Sequence, residues 1–167
     1  MDETGSGRGG GFPVTREERL KIFKEITRNY RNYQEHIKGI DEKLEMLNAE
    51  MENVHSISFD KEASAPSYQE RPMIELIERK ALLEREKQYY QDLIAWVHEI
   101  LDSFGSASIK ALVWMTYVQR RSLASISDEY LISKDNLYKI RRKHLCNALS
   151  DEKMNSLNGI LETYNSQ

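Results

Sequence analysis

The chain has 167 residues and a net charge of −3 at neutral pH, and 31% of its residues are charged, which predicts one or two small domains built from solvated helices. The lone Cys146 excludes a disulfide framework and a thiolate metal site, and the four histidines lack metal-ligand spacing, so we expect neither a cofactor nor catalysis. No signal-peptide pattern or bilayer-length apolar run is present, so we expect a cytoplasmic protein without a membrane partner.

The first fourteen residues contain five of the eight glycines and few residues that form a core. Such a segment does not recover its ordering entropy by burial, so residues 1–14 are predicted to be a flexible tail. Order should begin at Thr15, since Thr15 and Glu18 have the spacing of a helix capping box.

The residues that follow Thr15 form the longest periodic pattern in the chain. Apolar positions alternate steps of three and four for more than four heptads, which is typical of a coiled-coil seam. Gly39 lies within this pattern, where it is expected to mark a bend or a close approach of another helix. The seam, predicted to form a hairpin or an oligomer, consists of Phe23, Ile26, Tyr30, Tyr33, Ile37, Ile40, Leu44, Leu47, Met51 and Val54.

A polar connector is predicted at residues 55–71, because this segment has no sustained period. A second long helix should then begin near Pro72, a residue tolerated in a first helical turn, and run to Phe104. Residues 15–105 are therefore expected to form an antiparallel helical hairpin, whose remaining apolar face either makes a homodimer or docks the C-terminal part.

Residues 106–149 are predicted to form three helices. The second begins at Ser122, and the third follows an N-cap at Ser133. Residues 150–167 are expected to be a tail or a short helix. The fold class is therefore all-α. The predicted inward positions of the second and third helices are Leu123, Ile126, Tyr130, Leu137, Ile140, His144, Leu145 and Ala148.

Positive charge is concentrated in residues 106–149, which we call the three-helix segment. It contains eight Lys or Arg against three Asp or Glu, a net charge of +5, so the rest of the chain carries −8. A basic segment in an otherwise acidic chain is typical of a local nucleic-acid contact surface.

The residues of this segment also resemble a known family of motifs. The sequence S-L-A-S-I-S-D-E-Y-L-I-S-K-D-N-L-Y-K-I-R-R-K-H-L resembles the promoter-binding helix-turn-helix of bacterial sigma factors. With its helical N-terminal part and a connector containing Ser58-Phe59-Asp60-Lys61, the chain is similar to phage late-transcription regulators of the ArpU and RinA kind. It departs from the pattern at Ser127 and at Leu131, where Gly is common, which suggests a different backbone path through the turn.

The resemblance implies a sequence-specific, double-stranded-DNA-binding transcription regulator that activates phage or prophage late genes in a bacterial host, with RNA polymerase as a further partner. The third helix would enter the major groove, with Asn136 and Lys139 as the candidates for base contacts. The full predicted DNA-binding set is Arg120, Arg121, Ser133, Lys134, Asn136, Tyr138, Lys139, Arg141, Arg142 and Lys143.

Two other functions fit the same sequence. A phage terminase small subunit also joins a helix-turn-helix to an oligomerising helical part, and a ring of about eight or more subunits would favour it. A coiled-coil adaptor would use the seam to bind a partner protein, and would show no salt-sensitive affinity for duplex DNA.

Overall fold

A computed structural model of the protein describes residues 15–60 and 66–166, with side chains outside residues 56–70. In this part of the chain the predicted all-α class is confirmed, since no strand is present. The predicted N-terminal tail lies outside the described residues. The helices are α1 (Arg16–Arg28), α2 (Tyr30–Asp60), α3 (Pro66–Asp102), α4 (Ala107–Val113), a π-helical turn (Trp114–Val118), α5 (Leu123–Tyr130), α6 (Lys134–Ala148) and α7 (Asp151–Asn165).

The first long helix is interrupted at Asn29. Helix α1 begins as predicted, with the Thr15 hydroxyl accepting a hydrogen bond from the Glu18 amide. At the other end the Asn29 side chain donates to the Glu25 carbonyl oxygen at 3.0 Å, and the Asn29 amide bonds back to the carbonyls of Ile26 and Thr27. Asparagine competes in this way with regular helical bonding, so the seam is carried by two helices instead of one.

The ten seam residues are all buried or half-buried, but they do not belong to one hairpin. The chain divides into a first unit, with described residues 15–31 and 92–166, and a second unit, residues 32–91. The seam crosses this boundary after Tyr30. The predicted partition into a hairpin at 15–105 and a separate domain at 106–149 is therefore corrected, because α1 and the end of α3 pack with the C-terminal helices.

Within the second unit, helices α2 and α3 run antiparallel. The ring of Tyr90 stacks on that of Tyr33 at 5.6 Å and on that of His36 at 4.9 Å. Farther along, the Lys87 ammonium forms an ion pair with Asp41 at 2.6 Å. Residues of increasing number on α2 thus pair with residues of decreasing number on α3, as in a hairpin.

The connector is shorter than predicted. Helix α2 extends to Asp60 and α3 begins at Pro66, so residues 55–60 and 66–71 are helical and only 61–65 lie between the helices. Pro66 occupies the first helical position, where its missing N–H costs nothing, and Pro72 lies inside the helix. The polar composition of this segment concealed its helical structure, because solvated helices need few apolar residues.

Gly39 does not mark a close helix approach. Helix α2 continues through it, and a Cβ atom placed there would meet nothing within 4 Å. We expect Gly39→Ala to raise the free energy of unfolding by about 0.5–1 kcal/mol, since glycine loses more backbone entropy on helix formation. Chemical denaturation followed by circular dichroism measures this. The reverse change on the same helix, Ala49→Gly, should lower stability by a similar amount, and equal signs for the two variants would contradict the account.

The first unit has an aromatic core that joins α1 to α3 and to the π-helical turn. Phe23 is fully buried, with ring centroids 6.0 Å from Trp96 and 5.1 Å from Tyr117. The Tyr30 hydroxyl and His98 Nε2 are 2.7 Å apart, and both rings contact Trp114. Both tryptophans thus pack inside this unit.

The C-terminal residues form a full helix that completes this core. Met154 and Leu157 of α7 are buried, and the Trp96 indole donates to the Lys153 carbonyl oxygen at 2.8 Å. Arg19 of α1 donates to the Leu149 carbonyl oxygen at 2.9 Å, and its guanidinium also pairs with Asp151. The segment predicted as a tail or a short helix is therefore a 15-residue helix that binds α1 and α3.

Candidate nucleic-acid interface

Helices α5 and α6 are joined by a three-residue turn that fixes where α6 begins. The Ser133 hydroxyl accepts a hydrogen bond from the Asn136 amide at 3.2 Å, so Ser133 is the N-cap of α6, as predicted. The Ser127 hydroxyl donates to the Ile132 carbonyl oxygen at 2.7 Å and ties the turn back to α5. These bonds fix the first turn of α6 and involve no side chain on the solvent-exposed side of this helix.

Leu131 has a left-handed backbone conformation, with φ 59° and ψ 39°. The different backbone path predicted for a non-glycine residue is therefore wrong, because the turn keeps the left-handed conformation and Leu131 bears the strain. That strain costs about 1 kcal/mol. It is tolerated because the Leu131 amide bonds to the Ser127 carbonyl oxygen at 2.9 Å and closes the helix.

We expect Leu131→Gly to raise the free energy of unfolding by about 0.5–1 kcal/mol, since glycine adopts this conformation without strain. The leucine side chain is 90% exposed, so its removal loses little packing. Thermal unfolding measures the change, with Leu131→Ala as the control that shortens the side chain but keeps the strain. A glycine variant less stable than the alanine variant would contradict the assignment.

Helices α4, α5 and α6 pack around one small apolar cluster. Leu112, Ile126 and Leu137 are buried there, one from each helix, and Met115 and Leu123 pack against them. Because Leu137 lies one turn into α6, the cluster anchors the start of this helix and leaves its opposite face in solvent.

The exposed residues of α6 include a strip of five at helical spacing, and Lys134, Asp135 and Tyr138 are exposed beside it. We call Asn136, Lys139, Ile140, Lys143 and Asn147 the polar strip, and all five are exposed. Their spacing places them on one side of the helix, opposite Leu137 and Leu145. The strip carries two amides, two ammonium groups and one apolar side chain, and no carboxylate.

Two positions predicted to face inward are exposed. Ile140 is 36% exposed and Tyr130 is 51% exposed, whereas Leu137 and Leu145 are buried as predicted. Arg141 lies on the inner side of α6 instead of Ile140, and its guanidinium packs on the rings of Tyr117 and Tyr138. Because periodicity assigns isoleucine to the core, Ile140 was predicted to face inward. Neither Ile140 nor Asn147 was predicted to contact DNA.

The structure separates the ten predicted DNA-binding residues into two groups. Arg121, Ser133, Arg141 and Arg142 are engaged within the protein. The residues left exposed and without an ion pair among the described residues are Arg120, Lys134, Asn136, Tyr138, Lys139 and Lys143.

Two of the engaged arginines form ion pairs. Arg121 donates to Glu129 at 2.5 Å and to the Ser125 hydroxyl at 3.0 Å, and so holds the loop before α5 against that helix. Arg142 donates to Glu17 of α1. The pKa of Glu17 lies below its ordinary value because its own backbone amide and then Arg142 stabilise the carboxylate. Arg121 and Arg142, both in the predicted DNA-binding set, thus have carboxylate partners within the protein, and their contact with DNA stays a prediction.

Arg141 turns in the opposite direction, towards α1 and the π-helical turn. Its guanidinium lies over the ring of Tyr117 at 5.1 Å and over that of Tyr138 at 5.7 Å. It lines a cleft of about 230 Å³ together with Lys24, Arg28, Thr116, Tyr117 and Arg120. Sequence analysis missed Lys24 and Arg28, because nothing in the local pattern of α1 brings them near residue 120 or 141.

Neither a metal-ligand cluster nor a membrane-spanning helix is present in the described residues. In residues 15–60 and 66–166, no three His, Cys, Asp or Glu side chains gather as metal ligands would. None of the helices in these ranges combines the length and the apolar run needed to cross a bilayer.

The chain matches no protein-family model, and comparison with curated proteins and with solved structures finds no match. The similarity to phage late-transcription regulators therefore rests on the motif residues of α5 and α6, and it stays a prediction.

Proposed function

We propose that this chain binds double-stranded DNA in a sequence-specific manner, with helix α6 in the major groove. The observation that carries the proposal is the polar strip, which offers amide and ammonium side chains and contains no carboxylate. The strip lies on the exposed side of α6, while Ser133 caps the start of the helix and Leu137 is buried on its other side. This combination is what a groove-reading helix requires. The exposed positions span about 16 Å of helix, which suits a contact with several successive base pairs.

Each member of the polar strip has a chemical partner in the groove. The amides of Asn136 and Asn147 suit the N6 and N7 atoms of adenine, and the ammonium groups of Lys139 and Lys143 suit O6 and N7 of guanine. Ile140 suits a thymine methyl group. Lys134, at the start of the helix, would contact a backbone phosphate and fix the register.

The further proposal, that this DNA lies in a phage or prophage late promoter and that the chain activates transcription there, is supported by the resemblance of the motif. RNA polymerase is then a second partner. Selection of bound duplexes from a random pool tests sequence specificity directly, and we expect one enriched consensus. Affinity for that duplex should fall with salt, with a logarithmic slope of about −0.9 for each phosphate contacted. A pool without enrichment would contradict sequence-specific binding.

A second candidate, DNA packaging as a terminase small subunit, is favoured by apolar residues exposed on the second unit. Ile74, Ile77 and Leu82 of α3 are each half or more exposed, and so is Met46 of α2. Exposed apolar positions at helical spacing favour self-association. Native mass measurement decides between the two functions, because regulation needs a monomer or dimer and packaging needs a larger ring.

A further inference from the structure

The cleft between α1, the π-helical turn and α6 is lined by four cations and no carboxylate. Lys24 and Arg28 come from α1, Arg120 follows the π-helical turn, and Arg141 comes from α6. None of the four forms an ion pair with any residue in the described ranges. In contrast, Arg19, Arg121 and Arg142 in the same unit each have a carboxylate partner. Four like charges are thus held together with no carboxylate among the described residues that line the cleft.

Gathering these cations opposes folding, since like charges repel each other in a partly enclosed site. The backbone contributes to the arrangement as well. The π-helical turn is a rare element that occurs often at functional sites, and it supplies Thr116 and Tyr117 to the cleft. Arg120 has a left-handed backbone conformation, with φ 61°, although it is not a glycine. Strain of this kind persists where the surrounding structure fixes it, and it is common at ligand sites.

The two neutral side chains of the cleft differ in what they offer. The Thr116 hydroxyl already donates to the Leu112 carbonyl oxygen at 2.8 Å, so its proton is used. Tyr117 is half-buried, and this burial raises the pKa of its hydroxyl above the ordinary value of 10.0. The hydroxyl therefore keeps its proton at neutral pH. An incoming ligand meets cationic donors and one neutral donor, which is a site for an oxyanion.

We infer that this cleft binds a phosphoryl group, held by Lys24 and Arg28 from one side and by Arg120 and Arg141 from the other. Guanidinium groups match phosphate oxygens with paired N–H donors, and an ammonium adds a mobile point charge. The phosphoryl group has two possible sources with the same chemistry, a backbone phosphate of bound DNA or a free phosphate or nucleotide. The site exists in the protein without DNA, so this inference does not depend on the proposed function.

The test titrates the whole protein with inorganic pyrophosphate at low ionic strength and follows the backbone amide resonances of residues 116–120 by NMR. We expect saturable shifts in these amides. The double variant Lys24→Gln/Arg28→Gln should weaken binding by about tenfold or more, since two charge-assisted contacts are lost. The matched control is Arg16→Gln/Lys21→Gln, which removes one Arg and one Lys from exposed positions of the same helix outside the cleft. The control should bind within about twofold of the original protein.

A second variant keeps the test independent of folding. Arg120→Gly removes a guanidinium and also relieves the left-handed strain, so it should remain folded while it loses affinity for pyrophosphate. Absence of saturable shifts in residues 116–120, or an equal loss in the α1 variant and its matched control, would overturn the inference.

Adding duplex DNA to the protein with bound pyrophosphate distinguishes the two sources of the phosphoryl group. Displacement of pyrophosphate by the duplex supports a backbone phosphate in the cleft, and simultaneous binding supports a free ligand. Because pyrophosphate binding is measured without DNA, a protein that binds no duplex still confirms or refutes the cleft. The two proposals therefore fail separately.

Discussion

Replacing Lys139 and Lys143 together by alanine should lower the affinity for the selected duplex by about 100-fold or more, since a groove contact of this kind contributes about 1–3 kcal/mol. Both side chains are exposed and lie on the polar strip, so the variant should keep its helix content and melting temperature. Fluorescence anisotropy measures the affinity, and circular dichroism checks the fold.

The matched control for this variant is Lys38→Ala/Lys43→Ala on helix α2 of the second unit. It removes the same charge from two exposed lysines outside the first unit. We expect its affinity to stay within about threefold of the original protein at 0.1 M salt, because these lysines are not on the polar strip and salt screens exposed charges. Equal losses in the two double variants would mean that net charge, and not the polar strip, determines binding.

Phe23→Ala should destabilise the first unit by about 3–5 kcal/mol, as is usual when a buried phenylalanine is truncated. Phe23 is 0% exposed and contacts Trp96 of α3 and Tyr117 of the π-helical turn. Since α1 belongs to the unit that contains α6, the substitution should also lower DNA affinity. Chemical denaturation and anisotropy measure the two effects.

A core substitution in the second unit provides the comparison. Leu47 is 3% exposed on α2, so Leu47→Ala should cost about 2–5 kcal/mol in that unit. DNA affinity measured well below the melting temperature should change little. Loss of DNA binding in Leu47→Ala without loss in Phe23→Ala would contradict the division of the chain into these two units.

The sequence predicted the features that depend on residues close together along the chain. The seam from Phe23 to Val54 is buried or half-buried at every position, since its period of three and four follows directly from helix geometry. The N-caps at Thr15 and Ser133 form the predicted bonds, because each depends only on a hydroxyl three residues before an amide.

The features that depend on distant residues were not predictable from these patterns. The bond between Arg142 and Glu17 joins residues 125 positions apart, and the cleft brings Lys24 to Arg141. Local periodicity placed Ile140 inside and Arg141 outside, and the structure reverses them because Arg141 packs on Tyr117 of the π-helical turn. Which arginine is free for a ligand is therefore decided by tertiary packing.

The break at Asn29 depends on residues close together along the chain, yet it was not predicted from the sequence. The apolar period continues across it without a miss, so the pattern alone predicts one helix. The interruption comes from the Asn29 side chain and amide bonding to carbonyls of the preceding turn. Asparagine often ends a helix, but the continuous apolar period across Asn29 predicted that the helix continues.

The most direct test of DNA binding through α6 is an NMR titration of the protein with its selected duplex. We predict saturable shifts in the amides of Asn136, Lys139, Ile140 and Lys143, and unchanged amides in residues 32–91. Shifts confined to residues 32–91, or no saturable shift in α6, would contradict the account.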